Sequence, residues 1–147
     1  MLLGPLLAKP PMIIHFFPKP FPATVFDIGP TVEMATLFNT NPHFLSNVEE
    51  FTEAAKYAEG YYGHAFGEVS EELEQKEGSG KGKAVVLCLG WQATESHMKF
   101  KETQIFKDNV HFMTDGMGGV EIVSFHLCLN YIHAKGIIQY HVKFKKY

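Results

Sequence analysis

The 147 residues suit a single domain, and a hydrophobic share of 46% is enough to build a core. A net charge of −3 leaves no electrostatic footprint for nucleic acid, since Lys143, Lys145 and Lys146 make only a short basic end. Cys88 and Cys128 are too few for a disulfide framework, which points to a reducing compartment and inert thiols.

No uninterrupted apolar run is long enough to span a bilayer, and Met1 to Phe17 is broken by Pro5, Pro10 and Pro11. The expectation is a cytoplasmic protein with no membrane partner. Seven of the eight prolines fall at or before Pro30, where fixed φ angles and missing donors exclude a normal helix or central strand. Residues 1–30 therefore read as an irregular arm. Disorder, a cover over the domain and a wrongly chosen start codon all stay open for it.

From Thr31 the pattern is regular. Thr31 to Asn39 is β-branched and apolar and is stopped by Asn39, Asn41 and Pro42, as a strand and turn would be. Phe44, Val48, Phe51, Ala55 and Ala58 recur at helical spacing behind an Asn41 cap, and Gly60 supplies the stop. Tyr61 to Val69 alternates Tyr62, His64 and Phe66 with small residues, the pattern of a second strand with one crowded face. The glutamate- and glycine-rich stretch from Glu68 to Lys83 reads as an exposed loop.

Ala84 to Trp91 is apolar at both parities, so this third strand must be covered on both faces. In so short a chain a second subunit is the natural second cover. Thr94 caps a second helix reaching about Met113, with Met98, Ile105, Phe106, Val110 and Met113 on one side and His97 away from it. The order is strand, helix, strand, strand, helix, strand, the α+β ferredoxin-like βαββαβ pattern with an antiparallel sheet.

The run Gly90-Trp91-Gln92-Ala93-Thr94-Glu95-Ser96-His97-Met98-Lys99-Phe100, continuing to Phe106-Lys107-Asp108-Asn109-Val110, resembles the antibiotic biosynthesis monooxygenase-like dimeric α/β barrels, particularly fungal ones. Tyr140 to Phe144 is similar to their last strand, so the resemblance covers residues 31–147. It implies a homodimer whose sheets form a barrel. It also implies a small-molecule enzyme, leaning to cofactor-independent oxygenation of an aromatic or polyketide-type metabolite, with no cofactor and haem as a minor option. The alternative is a non-catalytic barrel that binds a small ligand or serves as a stress-response or interaction protein.

One stretch interrupts that match. If the fourth strand starts at Val120-Glu121-Ile122 and resumes at Tyr140, residues 123–139 are an insertion. Val123-Ser124 is compatible with an intron start and Gln139 with an intron end, so a translated intron and a true extra hairpin both stand.

Other chemistries lack their motifs. Gly78 to Lys83 has neither the spacing nor the strand-to-helix context of a phosphate loop. There is no His-Glu-x-x-His and no Cys-x-x-Cys, so no metal site is implied, and no Gly-x-Ser-x-Gly, so the usual hydrolase chemistry has no support. What remains is a polar and aromatic set. His141 and His97 are the candidate bases, because imidazole changes charge near neutral pH. Asn39 and Tyr62 are candidates to hold substrate oxygens, Phe66 and Trp91 to form a flat wall, and His64 is a further substrate-binding candidate. Each has a plainer role as strand end, packed aromatic or surface group.

Overall fold

The computed structural model describes residues 14–126, 133–134 and 137–138, with side chains through Ile122. Four strands form one antiparallel sheet: β1 (Thr31–Phe38), β2 (Tyr61–Glu68), β3 (Ala84–Trp91) and β4 (Gly119–His126). Their order β2-β3-β1-β4 is that of a ferredoxin-like α+β fold. A short arm helix, α1 (Val25–Ile28), precedes β1, and α2 (Phe44–Ala55) links β1 to β2. The segment expected as one second helix is three: α3 (Thr94–Glu102), α4 (Gln104–Asn109) and α5 (His111–Thr114). Beyond β4 a two-residue pair, β5 (His133–Ala134) and β6 (Ile137–Ile138), forms its own ladder.

Helix α2 buries Phe44, Val48, Phe51 and Ala55, the stripe legible in the sequence. That stripe packs on one sheet face with Ala35, Leu37, Leu87 and Leu89. Phe51 is held edge-on by Phe100 and Phe106, with ring centroids 6.1 and 6.2 Å away. Truncating Phe51 to Ala would cost about 3–5 kcal/mol on that count.

The second helical segment breaks at Thr103, whose backbone is extended at φ −74 and ψ 155. Its hydroxyl donates to the Phe100 carbonyl at 2.6 Å and accepts from the Phe106 N–H at 3.2 Å, so one residue ends α3 and caps α4. The break resets the helical phase. In α3 the buried residues are His97 and Phe100, and Met98 is exposed, the reverse of what a continuous helix implied.

Every residue of β3 is buried, as its composition required. The cover on its outer face, however, lies within the chain. Ala23 and Val25 of the arm join Val32, Phe38, Val86 and Cys88 in a second core cluster, with Ile14, Phe16 and Phe26 packed around it. The arm also extends the edge of β2: the Lys19 N–H donates to the Phe66 carbonyl at 2.8 Å, and the Phe66 N–H to the Lys19 carbonyl at 3.0 Å. An edge strand with open donors is thereby paired. His15 fastens the start of this segment, its backbone N–H donating to Glu71 at 2.9 Å. That hydrogen bond, with the imidazole contact beside it, holds the Glu71 carboxyl below its ordinary range.

Glycines mark where the arm lies. A Cβ on Gly67 would collide with the Phe17 carbonyl oxygen, and one on Gly90 would sit 2.7 Å from Val25 Cγ2. The burial of β3 is thus satisfied without a second copy. It also pushes the Cys88 thiol up to about 12, which keeps it un-ionised and inert.

Strand β4 continues past Ile122, with Val123 opposite Met34 and His126 opposite Thr31. Residues 1–13 of the arm, most of the 123–139 stretch, Cys128, and the expected last strand from Tyr140 to Phe144 with its candidate base His141 lie outside the described residues. Among those described, no helix is long and apolar enough to cross a membrane.

Candidate functional site

Strand parity builds the site. Glu33 shares a face of β1 with Ala35 and Leu37, so this carboxylate points under the helices instead of into water. Glu33 is 6% exposed and His97 of α3 is 8% exposed. A buried carboxylate needs a partner, and His97 supplies it, its Nδ1 lying 2.6 Å from Glu33 Oε2. The distance is short, but the alignment is not that of a hydrogen bond: Oε2 is fully buried and receives no well-directed donor. With Nδ1 turned to the carboxylate, Nε2 is the ring nitrogen left to exchange a proton.

Beside this pair is a cavity of about 190 Å³. Ala35, Leu37, Leu87 and Leu89 of the sheet form its floor, and Phe51, Phe100 and Phe106 form its roof. Val110 and Met113 close the far side, while Lys101 and the exposed Val120 and Ile122 stand at the rim. Glu33 and His97 are the buried ionisable groups in an otherwise apolar wall. A carboxylate–imidazole pair in such a place can accept, hold and return a proton away from bulk water.

The other residues singled out by sequence are dispersed. Trp91 is fully buried and stacks on His97, with centroids 5.7 Å and planes 25° apart, so it backs the imidazole without lining the cavity. Its indole N–H has no acceptor among the described residues. Phe66 is core, stacked on His64 at 5.8 Å. A bulge between Tyr61 and Gly63 shifts the register, so Tyr61 shares the helix face with His64 and Phe66, while Tyr62 turns to the arm side, its Cβ beside Gly90. Asn39, at φ 51, ends β1 some six residues beyond Glu33, roughly 20 Å along the strand, and packs against Gly82 and Gly118.

Of the described members of that set, His97 alone lines the cavity. Its partner Glu33 was missed in the sequence. The available signal was one carboxylate at inward parity in an apolar strand.

A titrating couple lies outside the cavity. The Tyr61 hydroxyl and His64 Nδ1 are hydrogen-bonded. Burial pushes Tyr61 up to about 12 and pulls His64 down, so the phenol donates and the neutral imidazole accepts. For His64 the unfolded chain binds a proton more readily, so its contribution is complete above the ordinary value near ~6.5 and is lost as pH falls below it. For Tyr61 the contribution is complete below pH ~10 and lost as pH rises toward 12. His64→Gln should therefore lower the melting temperature more at pH 8 than at pH 5. A pH-independent difference between the two proteins would contradict this assignment.

Among the described residues no cluster of three or more His, Cys, Asp or Glu is placed to hold a metal ion. A haem does not fit the cavity either: a cavity of about 150 Å³ is filled by one benzene, and the macrocycle has roughly four times as many ring atoms.

Fold and site together define a ferredoxin-like α+β protein with a buried glutamate–histidine pair facing an apolar cavity. Its architecture is that of SnoaB, a cofactor-independent oxygenase from Streptomyces nogalater. A mutant of that enzyme superposes with a TM-score of 0.51 at 12% identity, over 69% of this chain and 96% of SnoaB. A protein from Nitrosomonas europaea, provisionally named an antibiotic biosynthesis monooxygenase, aligns with a TM-score of 0.47 at 12% identity, over 67% of this chain and 99% of its own. At such identity these are likenesses of fold. No protein-family model matches the sequence, and no curated protein matches it significantly.

Proposed function

We propose that the protein is a cofactor-independent oxygenase of a small aromatic, polyketide-type metabolite, with His97 as base and Glu33 as the residue that positions it. The observation that carries this reading is the Glu33–His97 pair buried in the wall of an apolar cavity. The rival reading, a barrel with no catalytic role, suits a cleft filled by side chains better than an open one.

The chemistry needs only a proton acceptor and a dry chamber. His97 takes a proton from the substrate, and the resulting phenolate or enolate passes one electron to dioxygen. The radical pair joins as a carbon–oxygen bond, and the returned proton makes a hydroperoxide. Loss of water then breaks the O–O bond and leaves a carbonyl. One oxygen atom enters the product and the other leaves as water, so no external reductant is consumed. Oxygen uptake by purified protein with a panel of phenols, with chelator present and no cofactor added, tests the proposal. No uptake above the buffer rate with any of them overturns it.

Pairing with a second copy is part of the proposal, although the outer sheet face already carries the arm. Phe17 and Phe21 on that arm are 86% and 76% exposed, and Ile28 and Tyr62 are also exposed. Apolar groups of this size on one side of a small protein favour a partner. Sedimentation should show a dimer that weakens in the Phe17→Ser, Phe21→Ser double variant. A monomer at all concentrations would end this part of the proposal.

A further inference from the structure

The cavity has a size, a polarity and one unmet hydrogen-bonding need, and these three properties specify what can enter. We propose that it takes an uncharged phenol of a single ring, whose hydroxyl donates into the Glu33–His97 pair. This rests on the reading of the cavity as a substrate site.

Size comes first. At about 190 Å³ the chamber is somewhat larger than the ~150 Å³ that holds one benzene, which leaves room for one ring with small substituents. A fused three-ring skeleton has roughly twice the ring atoms and exceeds it. The walls do not yield easily. Phe51, Phe100 and Phe106 are locked edge to face, with Phe100 and Phe106 centroids 5.4 Å apart.

Polarity comes second. The acidic side chain at the inner wall is Glu33, and its nearest partner, His97, is already engaged with it. A carboxylate on the ligand would be buried against an apolar wall whose inner polar group is another carboxyl, which desolvation opposes. Lys101 is at the rim and exposed, where water screens it.

The hydrogen-bonding need comes third. Glu33 lines the chamber; its Oε2 is sealed against His97 Nδ1, and among the described residues no donor bonds Oε1, the oxygen left for a ligand to reach. A carboxylate oxygen accepts more than one hydrogen bond, so a phenolic O–H supplies what the protein does not. An aromatic ring carrying that hydroxyl would meanwhile lie between the leucine floor and the phenylalanine roof.

Calorimetric titration of the full chain with three probes tests this: meta-cresol, meta-hydroxybenzoate of the same ring size, and a three-ring dihydroxyanthrone. Trp91, the sole tryptophan, stacks on His97 and gives a second, fluorescence readout. Meta-cresol should bind at least about tenfold more tightly than either competitor. Glu33→Gln should weaken meta-cresol and narrow its advantage over meta-hydroxybenzoate. Should Glu33→Gln misfold, Ile122→Phe at the exposed rim serves instead and should weaken meta-cresol by obstructing entry.

Equal binding of the anthrone overturns the size rule, and equal binding of the benzoate overturns the charge rule. No binding of meta-cresol overturns the proposal outright. Failure here is separable from failure of the oxygenase reading. Oxygen uptake with the anthrone alone would keep the enzyme and discard the single-ring rule, whereas tight meta-cresol binding without oxygen uptake would do the reverse.

Discussion

His97→Ala should reduce oxygen consumption by about 100-fold or more, the usual scale for losing a positioned general base. The Michaelis constant should change much less, because the apolar walls that hold the ring are untouched. Added imidazole should restore part of the lost rate, since the vacated space lies against the cavity and next to Glu33. A merely structural histidine would show neither the kcat-weighted loss nor the rescue. His141→Ala is the comparison that matters, because it was the other candidate base. If His97→Ala turns over at the parental rate while His141→Ala does not, the base lies in the C-terminal segment and the Glu33–His97 pair has no catalytic part.

Gly67→Ala should detach the arm from the edge of β2. The added methyl group would overlap the Phe17 carbonyl oxygen, a backbone atom that cannot rotate aside, so the arm itself must move. Overpacking of this kind costs roughly 1–3 kcal/mol, or a drop of several degrees in melting temperature for a domain of this size. The local signature is sharper than the global one. Amide exchange should accelerate at Lys19 and Phe66, whose two hydrogen bonds tie arm to strand at 2.8 and 3.0 Å. The Cys88 amide, in the middle of β3, should stay protected. Unchanged exchange at Lys19 would mean that the arm does not seal this edge.

Both expectations concern features that differ in how far the sequence shows them. The strand and helix order was readable because alternation and the Phe44, Val48, Phe51, Ala55 spacing are local properties of the chain. The complete burial of Ala84 to Trp91 was readable for the same reason. The identity of its cover was not, because proline-rich segments have no periodicity with which to announce where they dock. Gly67 and Gly90 were a trace of that docking, and a glycine reads as a gap until the atom filling it is known.

The site divides in the same way. Amino-acid order by itself determined the α+β topology, the apolar faces and the inward parity of Glu33. Tertiary structure alone decided that Thr103 breaks the second helix, which turns His97 inward, and that β1 and α3 bring its Nδ1 within 2.6 Å of Glu33. Periodicity carries phase only along an unbroken element, and the approach of residues 64 positions apart is set by packing between elements, which no local pattern records.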